Sequence, residues 1–392
     1  MISIFSRLPA PVITLSLVRL ACACASTVPP MMFFMLTEVF GLNISDTAMA
    51  MGSATTFLVV GNFLGGKICA RIGWWHTFVG SQILFIISLF SATLNSTFIG
   101  FIICIYLSCL LAGVFLVCFT LGTLTLASGS DKAAALSLGY MFFNVGYAVG
   151  VASAGLLFQV SYKWVFYFDC LANLVALCIF IVFLNPPELG VACNQRQTVL
   201  HKTGLANGRT KLFLFLLLLV HGGFAFLLPL GVQQSTSSIA PATLYGWLIA
   251  FSALVTLMLS PYMLRATRSR KLSSNFSMAA LLYIASYFFL HLSGFEASFS
   301  IVSVLLWGCA GMLMFTYGEI LMQRSAPAPL SGAAAAAFQS LIQMGAVAGP
   351  LLAGQLSRNF SFLTACAAFG IVAALATRVF SEKNFIDLNK DI

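Results

Sequence analysis

Five polar side chains stand alone inside long apolar stretches: Arg19, Asn144, His221, Glu319 and Gln343. Ionisable and amide groups are expensive at bilayer depth and mark binding cavities, proton relays or interhelical hydrogen bonds there. Other chemistry is poorly provided for. The acids Glu38, Asp46, Asp131, Asp169, Glu188, Glu296 and Glu319 are isolated from one another, and a charged tail follows Ser381. The histidines His76, His201, His221 and His291 are equally scattered, so no catalytic acid–base cluster is formed. No metal-ligand spacing occurs among the histidines or the eleven cysteines, which include no Cys-x-x-Cys pair. Cys104, Cys109, Cys118, Cys170, Cys178, Cys309 and Cys366 lie in apolar runs, where a thiol behaves as a small hydrophobe. No catalytic residue, metal or cofactor is therefore expected.

The elements that must position these residues are membrane helices. Hydrophobic residues make up 60% of the chain and charged residues only 7%, against about 25% charged in an ordinary soluble domain. The net charge of +9 comes from basic residues in the short breaks between apolar runs, which points to anionic lipid headgroups and away from nucleic acid. Twelve runs are long enough to span, since about 20 apolar residues cross about 30 Å of hydrocarbon. They are Val12–Leu36, Thr47–Ile68, Thr77–Leu94, Phe98–Ala127, Ala133–Val160, Val165–Leu184, Leu212–Val232, Ala242–Leu264, Phe276–Leu292, Phe299–Met322, Ala333–Leu356 and Phe360–Val379. Arg19 interrupts the apolar core that a cleaved signal peptide would need, so the first run is read as a span that continues past Pro29 and Pro30.

One long polar stretch, Asn185–Lys211, sits at the middle of the chain. It divides an expected six-helix bundle at 1–185 from a second at 212–380, with a linker at 186–211 and a tail at 381–392. Alternate breaks hold sixteen lysines and arginines on one side and only Lys163 and Arg358 on the other, with Arg19 inside a helix. The positive-inside rule then places both termini and the linker in the cytoplasm, in a cell (inner or plasma) membrane. The halves also repeat. A shift of 199 brings Pro30 onto Pro229, Asn144 onto Gln343, and Gly146, Gly150 and Gly155 onto Gly345, Gly349 and Gly354. Small residues at these positions are expected to pack helices closely, as is Pro350 beside Gly349.

On these twelve spans, the basic linker and the repeat, the chain resembles the major facilitator superfamily over essentially its whole length. That family's loop signature between its second and third helices is echoed at Gly66–Trp75, GKICARIGWW, where Gly66, Arg71 and Gly73 match. Ala70 replaces the expected acid, and Trp74 and Trp75 replace a basic pair. The drug–proton antiporter pattern is partial. Val151 stands at its proline position and Cys109 at its arginine position, while Gly349–Pro350 and the Gly318–Glu319 step fit bacterial exporter relatives.

The resemblance implies an all-α membrane protein of two pseudo-symmetric six-helix bundles, a monomer that moves a small organic solute by alternating access. Export in exchange for protons is the expected mode, with an uptake permease for a sugar, amino acid or other metabolite as the alternative. A membrane-embedded transferase is the remote third reading. His221, Asn144 and Gln343 share a depth near the midplane and are expected to line one cavity. Arg19 and Glu319 are expected to form a cytoplasmic gate, with Glu319 carrying the proton.

Overall fold

The computed structural model describes residues 8–95, 97–127, 131–185, 208–235, 237–267, 270–294, 296–324 and 331–379. Every described element is helical. Most of the expected linker and the tail at 381–392 lie outside the described residues. Ten described helices are long and apolar enough to cross a membrane, so the chain is a multi-pass membrane protein.

The first apolar run is not one helix. It forms α1 (Ala10–Cys24), then α2 (Val28–Phe34) running into a π-helical turn at Met35–Val39. The break is a correction to the uninterrupted span expected from apolarity. Its cause is local sequence plus one distant acid. A helix start leaves its first N–H groups unpaired, and in hydrocarbon each must find a partner. Pro29 and Pro30 have no N–H, and Met31 already donates to the Thr27 carbonyl (3.2 Å), so only Thr27 and Val28 remain. Both donate to Asp169 Oδ2 at 3.2 Å, and the Thr27 hydroxyl donates to Asp169 Oδ1. Asp169, 1% exposed, thus caps α2 from another helix.

The remaining helices are α3 (Ile44–Ile72), α4 (Trp74–Leu94), α5 (Phe98–Leu126), α6 (Asp131–Val160) and α7 (Tyr162–Phe183), followed by α8 (Gly208–Gln234), α9 (Pro241–Thr267), α10 (Leu272–Leu292), α11 (Ser298–Arg324), α12 (Ser331–Asn359) and α13 (Phe362–Val379). Asn43 caps α3 by accepting from the Asp46 N–H (2.9 Å) while its amide donates back to the Asp46 carboxylate (2.8 Å). Helix α8 opens at Gly208, inside the stretch read as linker.

The chain divides into two compact units. One holds Met1–Gly41, Ser53–Gln197 and Ile249–Leu254; the other holds Leu42–Gly52, Thr198–Leu248 and Val255–Ile392. Within the first, α1 packs on α6 and α7, and α4 on α5 and α7. Within the second, α8 packs on α12 and α13, and α10 on α11 and α13. The same four pairings recur, one repeat later.

Detailed contacts repeat as well. In the first unit a methyl group at Gly146 would strike the Leu20 carbonyl, and one at Gly150 the Cys24 carbonyl. In the second, one at Gly222 would strike the Gly345 carbonyl and one at Gly349 the Gly223 amide. Backbones touch at these crossings, where dispersion and not water exclusion holds helices together. The Ser88 hydroxyl donates to the Cys104 carbonyl (2.8 Å) between α4 and α5; the Ser286 hydroxyl donates to the Ser303 carbonyl (2.9 Å) between α10 and α11. Shifts of 198 and 199 relate these partners.

Removing the cap at Asp169 strands two buried backbone donors and a hydroxyl, each worth about 1–3 kcal/mol when unpaired. Asp169→Ala is expected to lower stability by at least about 2 kcal/mol on that scale. Exposed Lys163→Ala should stay within about 0.5 kcal/mol of the parent. Thermal unfolding of the purified protein in detergent, followed by intrinsic fluorescence, compares the two.

Candidate functional site

In the first unit the site is built on the α1–α6 contact. Arg19 is the tenth residue of α1, about 14 Å along it at 1.5 Å per residue, and is half-buried. Its guanidinium lies 4.7 Å from the centre of the Tyr140 ring, 5.6 Å from Phe143 and 5.8 Å from Phe119. Gly139 makes the space, since a methyl group there would come within 3.2 Å of Arg19 Nη1. Among the described residues no carboxylate contacts the guanidinium, and its Nε is buried without a hydrogen-bond partner. A charge at the centre of a membrane helix costs roughly 2.5–3.5 kcal/mol even on the mildest scale. Ring contacts return about 0.5–1 kcal/mol each at exposed sites. The rings soften the cost of Arg19 without matching the strength of an anion.

The same face of α6 carries further functional groups. Phe143 and Tyr147, four residues apart, lie nearly parallel (9°) with centroids 5.9 Å apart. Half-buried Asn144 sits between them in sequence, its amide N–H donating to the Tyr140 carbonyl (2.8 Å). That bond uses one donor and leaves the amide oxygen available as an acceptor.

In the second unit the polar centre lies one turn farther along, where Leu218 takes the place of Arg19 and an imidazole sits among aromatic rings. His221, which the 199 shift places on Cys22, is half-buried on α8. Its Nδ1 is 3.0 Å from the Tyr283 hydroxyl, its ring stacks on Trp307 (4.5 Å, 14°), and Phe315 meets it edge-on at 4.9 Å. Phe224 extends the stack on Trp307 (5.1 Å, 16°), and the Trp307 indole N–H donates to the His221 carbonyl (3.3 Å). Three helices, α8, α10 and α11, therefore hold one imidazole. Gln343, half-buried on α12, is at the same level, because its neighbour Gly345 abuts Gly222 beside His221. Glu319 is exposed on α11, one residue after Gly318, where a methyl group would strike the Phe338 ring at 2.6 Å.

The structure thus brings His221 and Gln343 to one level of the second unit and puts Asn144 in the first on α6, next to Phe143 and hydrogen-bonded to the Tyr140 carbonyl, both residues that meet Arg19. Arg19 and Glu319 likewise belong to different units. Among the packing glycines, Gly155 is buried in α6, Gly354 faces Ala48, and Pro350 lies within α12.

The loop signature has a clear geometry. Gly66 and exposed Arg71 are in the last two turns of α3. Gly73 alone joins α3 to α4, with φ 82° and ψ 157°, a conformation essentially reserved for glycine. The tryptophans that replace the basic pair fasten this corner within its own unit. The Trp75 indole N–H donates to the Leu184 carbonyl at the end of α7 (2.8 Å), and Trp74 meets Phe180 edge-on at 5.9 Å.

Sequence reasoning missed the buried network around α2. Asn173 donates to the Asp169 carbonyl (2.8 Å), and the Gln82 amide donates to Asn173 Oδ1 and toward Cys22 Sγ (3.6 Å). The adjacent prolines Pro29 and Pro30 were the available signal.

Residues 15–350 match the Major Facilitator Superfamily, and the chain belongs to that family. It is a transporter and not an enzyme. No curated relative matches the chain in sequence. Among solved structures, a nucleoside transporter, NupG, is similar with a TM-score of 0.80 at 13% identity, covering 96% of this chain and 100% of that one. A POT family transporter in complex with 5-aminolevulinic acid has a TM-score of 0.78 at 14% identity, covering 95% of each chain. A structure concerned with substrate recognition in proton dependent oligopeptide transporters gives 0.78 at 12% identity, covering 97% and 99%. At such identities the likeness is one of fold.

Gly73 offers a clean test of the α3–α4 corner. Gly73→Ala is expected to cost about 1–3 kcal/mol through its backbone conformation alone, since nothing lies within 4 Å of the added methyl group. Gly80→Ala, equally uncrowded but inside α4, should instead stabilise by about 0.5–1 kcal/mol. Melting temperatures of the two variants should move in opposite directions.

Proposed function

We propose that the protein is a twelve-span secondary active transporter that moves a small organic solute by alternating access, coupled to protons. The supporting observation is the internal repeat of contacts: two units with the same four helix pairings and the same glycine crossings, each with a polar centre. Such pseudo-symmetric halves suit rocking around a fixed site. In this reading Arg19 with Asn144, and His221 with Gln343, are the solute-facing groups, one pair from each half.

Direction is part of the proposal. Export in exchange for protons follows from the exporter-like Gly349–Pro350 and Gly318–Glu319 steps. Uptake is the second reading, favoured by the fold neighbours, whose descriptions name nucleosides, peptides and 5-aminolevulinic acid. The two readings differ in whether proton and solute cross in opposite directions or together. Glu319 is the proposed proton-carrying group because it is the one acid in the middle of an apolar run of the second half, and it is exposed on α11.

Purified protein in liposomes, challenged with a chemically varied panel of labelled solutes with and without an imposed pH gradient, tests both parts. Accumulation of at least one solute above equilibrium, dependent on the gradient, is expected. Vesicles of both orientations fix the direction. Glu319→Gln is expected to reduce gradient-driven accumulation at least tenfold while leaving solute binding within twofold. A variant that still responds fully to the gradient removes Glu319 from coupling.

A further inference from the structure

We propose that Arg19 and the rings around it form a binding site for the anionic group of the transported solute, which makes that solute a small organic anion with an aromatic or apolar body. The proposal rests on the transporter reading above. Three observations carry it. The guanidinium lies deep in the first span with no carboxylate among its described contacts. Its Nε is buried and unpartnered, so at least one fixed donor lacks an acceptor. The groups that do surround it are the π-faces of Tyr140 at 4.7 Å, Phe143 at 5.6 Å and Phe119 at 5.8 Å, together with the Tyr140 hydroxyl, a neutral partner and not an anion.

The arrangement also has the shape of a recognition site. A guanidinium offers a planar fork that matches a carboxylate by two parallel hydrogen bonds. Tyr140 is 52% exposed and its ring lies 4.7 Å from the guanidinium carbon, so it can receive the body of a ligand whose charged end reaches Arg19. Farther along α6, the parallel Phe143 and Tyr147 rings extend the aromatic face and Asn144 adds an amide acceptor. Gly139 keeps the approach open, since any side chain there would crowd the Arg19 fork. An internal counter-ion would have done the electrostatic work permanently; a mobile anion does it only while the solute is bound.

The test compares benzoate with benzamide, which share size and ring but differ in charge, by equilibrium dialysis against full-length protein in nanodiscs. Benzoate is expected to bind saturably and at least tenfold more tightly than benzamide. Arg19→Gln is expected to weaken benzoate at least tenfold and to leave benzamide within twofold. Equal binding of the two probes, no saturable benzoate binding, or unchanged benzoate affinity in Arg19→Gln would each overturn the proposal. Should Arg19→Gln not yield monodisperse protein, Arg19→Lys carries the test. It retains the charge but not the fork, and a severalfold loss confined to benzoate is expected; an unchanged affinity counts against the site. Lipid phosphate is the other source of an anion, so binding is measured in phosphatidylcholine alone and with phosphatidylglycerol added. Benzoate affinity that is unaffected supports a solute site, whereas displacement by phosphatidylglycerol assigns Arg19 to lipid and overturns it. Benzoate binding as expected with no flux of any solute in liposomes would sink the transporter reading and spare the anion site. Flux of neutral solutes alone, untouched by Arg19→Gln, would do the reverse.

Discussion

A helix cannot simply stop inside a bilayer, and the first span of this protein does so because Asp169 is there to receive it. Two prolines remove two of the stranded donors at the start of α2, and one carboxylate accepts the two that remain together with the Thr27 hydroxyl. The price is a buried acid. It sits on α7, where Asn173 donates to the Asp169 main-chain carbonyl and accepts from Gln82 of α4. The break therefore ties α1, α2, α4 and α7 into one polar knot, and α1, freed from α2, lies against α6 at Gly146 and Gly150. That contact is what sets Arg19 among Tyr140, Phe143 and Phe119.

The second half shows what happens without the acid. The 199 shift replaces Asp169 by Ala368, Gln82 by Leu281 and Asn173 by Val372. Only one proline, Pro229, remains in the corresponding helix, and α8 runs unbroken from Gly208 to Gln234. Its interior is stabilised by aromatic contacts, with His221 between Trp307, Phe315 and Tyr283, and Tyr287 donating to the Val220 carbonyl (2.6 Å). The two units thus share a packing plan and differ in chemistry. One offers an arginine on a discontinuous span, the other an imidazole on a continuous one.

Much of the fold was legible because its signals are local. Apolar runs located the helices to within a few residues, and the glycine periodicity marked Gly146, Gly150, Gly345 and Gly349, each of which meets backbone of a neighbouring helix. The break in the first span was not legible from apolarity, since Ala25, Val28 and Met31 are as apolar as their neighbours and the decisive acid is 142 residues away from Thr27. Trp74 and Trp75 read as a loss of charge, whereas their rings and indole N–H secure the α3–α4 corner to α7. The rings around Arg19 and His221 come from several helices, and no spacing rule reports a contact between residues on separate helices. The helices that carry Arg19, Asn144, His221 and Gln343 were readable; their neighbours were not.

The claim that ties these features together is that the protein is a carrier with one site exposed alternately to each side. Counterflow measures this most directly. Liposomes are loaded with a high concentration of an unlabelled transported solute, and entry of a trace of the same labelled solute is followed with no ion gradient imposed. An alternating-access carrier predicts a transient accumulation of label inside, above its equilibrium level, that disappears when the vesicles are not preloaded. Label that only equilibrates, at a rate indifferent to preloading, would contradict the account and indicate a pore.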